Sequence, residues 1–190
     1  MDYQTKPTSR KQLRIYSKYF RELFDVSATS GSFPVLEALE KIPDVFAGSG
    51  YQIVENNQLP PQTMARCYRN NKGGFTIEIK QSVYDEAYNG TGACLGFICH
   101  EICHVFLFYI GYTPVYERSF AYNELPAYKS VEWQAKALCA EVMIPYEESK
   151  SMGFDEIIRR YHVSQAFARK RCNLSWQEVI WENTSKKTHS

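Results

Sequence analysis

The sequence predicts an α+β fold, a small antiparallel or mixed sheet packed on helices with one long apolar helix buried among them. Three observations lead there. Leu13, Ile15, Tyr16, Tyr19, Phe20, Leu23 and Phe24 recur near helical spacing with basic residues between them. Between Tyr51 and Lys80 the pattern shifts to short runs with a period of two. The run from Ala93 to Ile110 is then almost wholly apolar. A chain of 190 residues suits one compact domain with a small appendage and can bury a substantial core.

Taken in order, Met1 to Pro7 is polar and expected to be loose, and Thr8 to Val26 forms an amphipathic first helix. After a Ser/Thr/Gly turn, Phe33 to Lys41 reads as a short helix ending near Pro43. The pieces "YQIVE", "ARCYRN" and "GGFTIEIK" read as strands separated by "NNQLPPQ" and "NNKGG", the second of which supplies a hairpin turn. Alternation in "FTIEIK" turns Phe75, Ile77 and Ile79 inward and Thr76, Glu78 and Lys80 to water. Val83 to Gly90 carries the chain across to the long helix. Beyond that helix an irregular aromatic stretch, "YTPVYERSFAYNELPAYK", leads to a second helix from Ser130 to Ile144, stopped by Pro145.

The tail contains two short helical pieces around "YHVSQ", with Ser164 as an N-cap and Arg159, Arg160, Arg169, Lys170 and Arg171 as a basic patch. The final "NTSKKTHS" has the composition of a disordered end. This divides the chain into a main domain over 1–148, a helical, helix-turn-helix-like extension packed on it over 149–182, and a tail over 183–190.

Lysine and arginine number 22 against 21 acidic residues, so the net charge of +1 gives no global electrostatic reason for a nucleic-acid or membrane partner. The first residues lack the apolar region of a secretory signal, which points to the cytoplasm and to six reduced cysteines. Cys99 and Cys103, one turn apart, read as small buried residues. The apolar run approaches membrane-spanning length, but His100, Glu101 and His104 interrupt its middle at a cost an isolated lipid-facing helix would not bear. A buried helix of a soluble protein is the expectation.

Those three polar residues belong to His100-Glu101-Ile102-Cys103-His104, an HExxH. Helical residues four apart lie about 40° apart in projection and one turn apart in height, so both imidazoles can reach one metal ion. Glu101 falls about 100° from His100 and about 60° from His104, beside such an ion without ligating it, where a general base for its water belongs. A catalytic zinc takes three protein ligands. His162 sits in the basic tail and His189 in the polar end, so a carboxylate is the better third donor. In "SVEWQAKALCAEVMIP" a helical projection groups Glu132 with Ala135, Cys139 and Met143 and sets Glu141 roughly opposite. Glu132 is therefore the leading candidate, Glu117 and Glu124 being alternatives in irregular sequence. A salt bridge from Glu132 to Arg118 or Lys129 is the competing explanation.

"HEICHVFLF" followed by "EWQAKALCAEVMIP" resembles the ImmA/IrrE family of metallopeptidases, zincin-like proteins often encoded by mobile elements. Glu132, Ala135, Ala140 and the "MIP" of Met143 to Pro145 match its second motif, and the order of elements is similar from about Leu36 to Arg171. Cys103 stands where the family commonly has glycine, and the lead-in "GACLGFIC" is less polar than is usual there.

The resemblance implies a zincin-like metallopeptidase domain with a buried HExxH helix, His100, His104 and Glu132 as zinc ligands, and Glu101 as catalytic base. Mn²⁺ or Fe²⁺ also suits two histidines and a carboxylate. It further implies limited cleavage of a specific protein, a helix-turn-helix transcriptional repressor. Candidate oxyanion donors are Tyr109, Tyr112, Tyr116, Tyr122 and Tyr128. An extended substrate would add to a sheet edge between Arg66 and Lys80. Direct DNA contact by the basic tail is a lesser expectation than docking of the repressor. The alternative from another class is a non-catalytic metal-binding regulator that acts by binding or sensing.

Overall fold

The structure, a computed structural model, describes residues 3–114 and 125–173. Helix α1 spans Arg10–Leu23, its start fixed by Ser9, whose side chain accepts the Gln12 N–H. Leu13 and Phe20 on its apolar face are fully buried. Two short helices follow, α2 over Val35–Glu40 and α3 over Ile42–Val45. The first is the helix expected over Phe33 to Lys41, ending at Glu40 with Lys41 as its C-cap. Pro43 sits in the first turn of α3, where a missing N–H costs nothing.

Strands β1 (Gly50–Val54), β2 (Ala65–Arg69) and β3 (Phe75–Lys80) form a mixed sheet of order β1-β3-β2. The β2–β3 pair is the antiparallel hairpin closed by "NNKGG", while β1 joins β3 in parallel with Gly50 opposite Thr76. The strand last in sequence is thus central, which corrects the expected wet face. Glu78 and Lys80 are buried at 8% and 6% exposure. Cross-strand neighbours supply what water would have: Gln52 Nε2 and Arg66 Nε donate to the Glu78 carboxylate at 2.7 and 2.5 Å, and Lys80 Nζ donates to the carbonyls of Pro60 and Pro61.

Helix α4 (Gln81–Tyr88) makes the crossing to α5 (Gly92–Tyr109). A Cβ on Gly92 would lie 2.6 Å from the His162 carbonyl oxygen, so only glycine lets the start of α5 meet the backbone at 162–164 so closely. By length and composition α5 could cross a membrane. Here it is a core helix: Ile98, Cys99, Ile102, Cys103 and Val105 have no exposed surface, and it packs against α6, β2 and α4.

Helix α6 (Val131–Met143) lies between α1 and α5 and is covered on both sides. This changes the projection argument. Glu141, opposite Glu132, is 1% exposed and is gripped by Arg171 through two bonds of 3.0 and 3.1 Å and by Arg14 at 3.2 Å. From Tyr3 to Pro7 the expected looseness is not found either. Residues 3–8 run beside 128–131, with Thr5 N–H donating to the Lys129 carbonyl, Val131 N–H to that of Tyr3, and Thr5 Oγ1 to that of Thr113. These bonds anchor the start of α6.

Helices α7 (Tyr146–Ser149) and α8 (Phe154–Tyr161) and a helical segment over 165–173 complete the described fold. Ser164 Oγ accepts the Phe167 N–H as an N-cap. The expected basic patch is partly structural: Arg171 is buried on Glu141, Arg160 pairs with Glu148, and Arg169 lies over the Phe154 ring. The segment 183–190 lies outside the described residues.

Candidate metal centre

Helical spacing on α5 puts His100 and His104 one turn apart, and the first turn of α6 presents Glu132 to both. Ser130 fixes that first turn by accepting the Trp133 N–H at 2.8 Å. His100 Nε2 lies 3.1 Å from His104 Nε2 and 3.4 Å from Glu132 Oε2, and His104 Nε2 lies 3.3 Å from Glu132 Oε1. Donors about 2.0–2.1 Å from a common ion at tetrahedral angles stand about 3.3–3.4 Å apart. The donor types and their separations both fit a divalent metal ion. The His104 ring is stacked on Phe108, and its Nδ1 is buried without a hydrogen-bond partner among the described residues, so the ring's outward chemistry lies at Nε2.

The electrostatics couple the same groups. Hydrogen bonds from His100 and then His104 hold the Glu132 carboxyl far below its ordinary value, against burial. Burial alone would lower the His100 pKa, but the bond to Glu132 and the charge of Glu101 outweigh it and raise the imidazole above its usual value. Lys136, one turn along α6, stands 3.9 Å from Glu132. Glu101 is set on the β2 side of α5. Burial raises its pKa above the usual carboxylate range, opposed by the two histidines and by the backbone amide of Cys67 on β2.

Of the other predicted residues, Glu117, Glu124, Arg118, Tyr116, Tyr122 and His189 lie outside the described residues. His162 is a left-handed C-cap of α8 with φ of 52° and is not one of the clustered donors. Tyr109 is exposed and edge-on to Phe46, Tyr128 is half exposed, and the buried Tyr112 shares a 3.2 Å hydroxyl contact with Tyr16. Beside His100 opens a cavity of about 480 Å³ between α5, α6 and the 165–173 segment, with Phe97 and Trp133 on its walls and Lys136 and Lys170 among its lining residues.

A second donor group was not anticipated. Cys99 and Cys103 are fully buried as small residues, but Cys139 joins them from α6, the three sulfurs lying within 4.8 Å of one another. All six cysteines are free thiols. The signal was present in the sequence, since Cys99 and Cys103 each precede a histidine and Cys139 shares the helical face of Glu132, yet local spacing does not show which helices face each other.

No family model matches the chain, and no curated protein matches it either. The chemistry therefore rests on the donors themselves: a His-His-Glu cluster and a Cys-Cys-Cys cluster, each able to coordinate a metal ion.

Proposed function

We propose that the protein is a zinc-dependent endopeptidase of the zincin-like, ImmA/IrrE type that makes a limited cut in a helix-turn-helix transcriptional repressor. The observation that carries this reading is the combination of three convergent donors with a second carboxylate beside them, Glu101, which a purely structural metal would not require. His100, His104 and Glu132 would hold the ion. Bound zinc supplies Lewis acidity, polarising a carbonyl and lowering the pKa of water toward about 7.

Glu101 takes the proton from the attacking water and returns it to the leaving amine nitrogen. Its raised pKa suits that double duty, because a weaker acid is a better base and still donates. β3 is paired on both sides, so of the two strands expected to receive substrate only β2 keeps an open edge. That edge borders Glu101, and an extended peptide paired along it would bring its carbonyl to the base. The cavity beside His100 then offers an apolar recess for a neighbouring side chain.

Glu101→Gln keeps the shape and removes the base. Metal content is expected to stay unchanged while cleavage of a purified helix-turn-helix repressor encoded beside the protein falls at least about 100-fold. Undiminished cleavage by the variant would refute Glu101 as base, and equal repressor control by both forms in cells would favour a regulator that acts by binding.

A further inference from the structure

Behind the imidazoles, α5 and α6 carry donors of a different kind. Cys99 and Cys103 each immediately precede a histidine of the first cluster, and Cys139 follows Glu132 by about two turns of α6. Their sulfurs lie within 4.8 Å of one another, Cys99 and Cys103 at 0% exposure and Cys139 at 4%. The Met143 thioether stands 3.8 Å from the Cys139 sulfur. Three sulfurs about 2.3 Å from a common ion lie about 4.0 Å apart in a trigonal plane. The observed separations, at most 4.8 Å, exceed that spacing by no more than about 0.8 Å.

We propose that Cys99, Cys103 and Cys139, with Met143 beside them, form a second metal site selective for a soft, thiophilic cation of the Cu(I) class. The cluster contains no imidazole and no carboxylate. Thiolate and thioether donors favour Cu(I), whereas Mg²⁺, Ca²⁺ and Mn²⁺ prefer oxygen. A structural zinc would call for a fourth thiolate or an imidazole, which a thioether replaces poorly. Each ligating thiol releases its proton to solvent, and no electron is transferred. Cys139 lies on the wall of the 480 Å³ cavity together with Gly96, Ala137 and Ala140, small residues that leave a way in from solvent. An ion held there ties α5 to α6, the two helices that carry the histidines and Glu132.

The inference stands independently of the peptidase reading, and its test separates the two clusters. The full chain, reduced and anaerobic, is titrated with Cu(I) against a chromogenic copper chelator, and the loaded protein is examined by X-ray absorption at the copper edge. The expected result is one Cu(I) per chain with a shell of sulfur alone, retained in the His100→Ala/His104→Ala double variant. Cys139→Ser is expected to weaken binding at least 100-fold, with circular dichroism establishing that it is folded. Nitrogen or oxygen donors in the shell of the unmodified protein would overturn the site, and this reading does not depend on any variant folding. So would loss of copper with the histidine pair, retention in folded Cys139→Ser, or no binding in competition with the chelator.

Discussion

Replacing Glu141 with alanine removes one carboxylate from between two guanidinium forks. Arg171 Nη1 and Nη2 donate to it at 3.0 and 3.1 Å, Arg14 Nε and Nη2 at 3.2 and 3.5 Å, and Arg10 lies 3.8 Å away. Glu141 is 1% exposed and Arg171 2%, so water cannot take over the role of the lost anion. Among the described residues, Arg171 would keep the Ser149 hydroxyl, 3.3 Å from Nε, and the face of the Tyr146 ring, while facing two other cations. Breaking a buried pair in this way costs about 3–5 kcal/mol, against a total stability of about 5–15 kcal/mol for a domain. Because the carboxylate joins α1, α6 and the 165–173 segment, the loss should be global. Urea unfolding of wild type and Glu141→Ala should give an unfolding free energy smaller by that amount, seen as a midpoint lowered by the loss divided by an unchanged slope. A loss below about 1 kcal/mol, the range of exposed ion pairs, would refute the view that this carboxylate is a buried tie.

The Glu78 cluster predicts a direction for acid unfolding. Burial pushes the Glu78 carboxyl up, but donation from Arg66, Gln52 and Tyr68 outweighs it and leaves the folded pKa below the ordinary value. Its contribution is therefore complete above about 4.3 and is lost as pH falls through the lower folded value, so Glu78→Gln should flatten the pH dependence of the melting temperature in that acidic range. Ser130→Ala removes the N-cap that accepts the Trp133 N–H and should cost about 1 kcal/mol in chemical denaturation.

Features set by local spacing were legible. The 3.6-residue period of α1, the hairpin signal of "NNKGG" and the apolar length of α5 are each contained in a short window. The approach of His100 to His104 follows from helix geometry alone. What escaped depends on partners far along the chain. Glu78 and Lys80 alternate like solvent-facing residues, but strand order makes β3 central and cross-strand groups and proline carbonyls cover them. Glu141 has the position of an outward residue until α1 and the 165–173 segment close over it. The pairing of residues 3–8 with 128–131 joins segments more than 100 residues apart and has no local signature. Cys139 reads as a small core residue until α6 is laid against α5.

A divalent metal centre at His100, His104 and Glu132 underlies the proposed chemistry. Its most direct test is the metal content of the purified protein by mass spectrometry, beside Glu132→Ala and, to set the sulfur cluster apart, Cys139→Ser. About one zinc or other divalent ion per chain, lost in Glu132→Ala and kept in Cys139→Ser, is the result the geometry predicts. Native protein without a divalent ion even after zinc is supplied, or a content unchanged in Glu132→Ala, would contradict it.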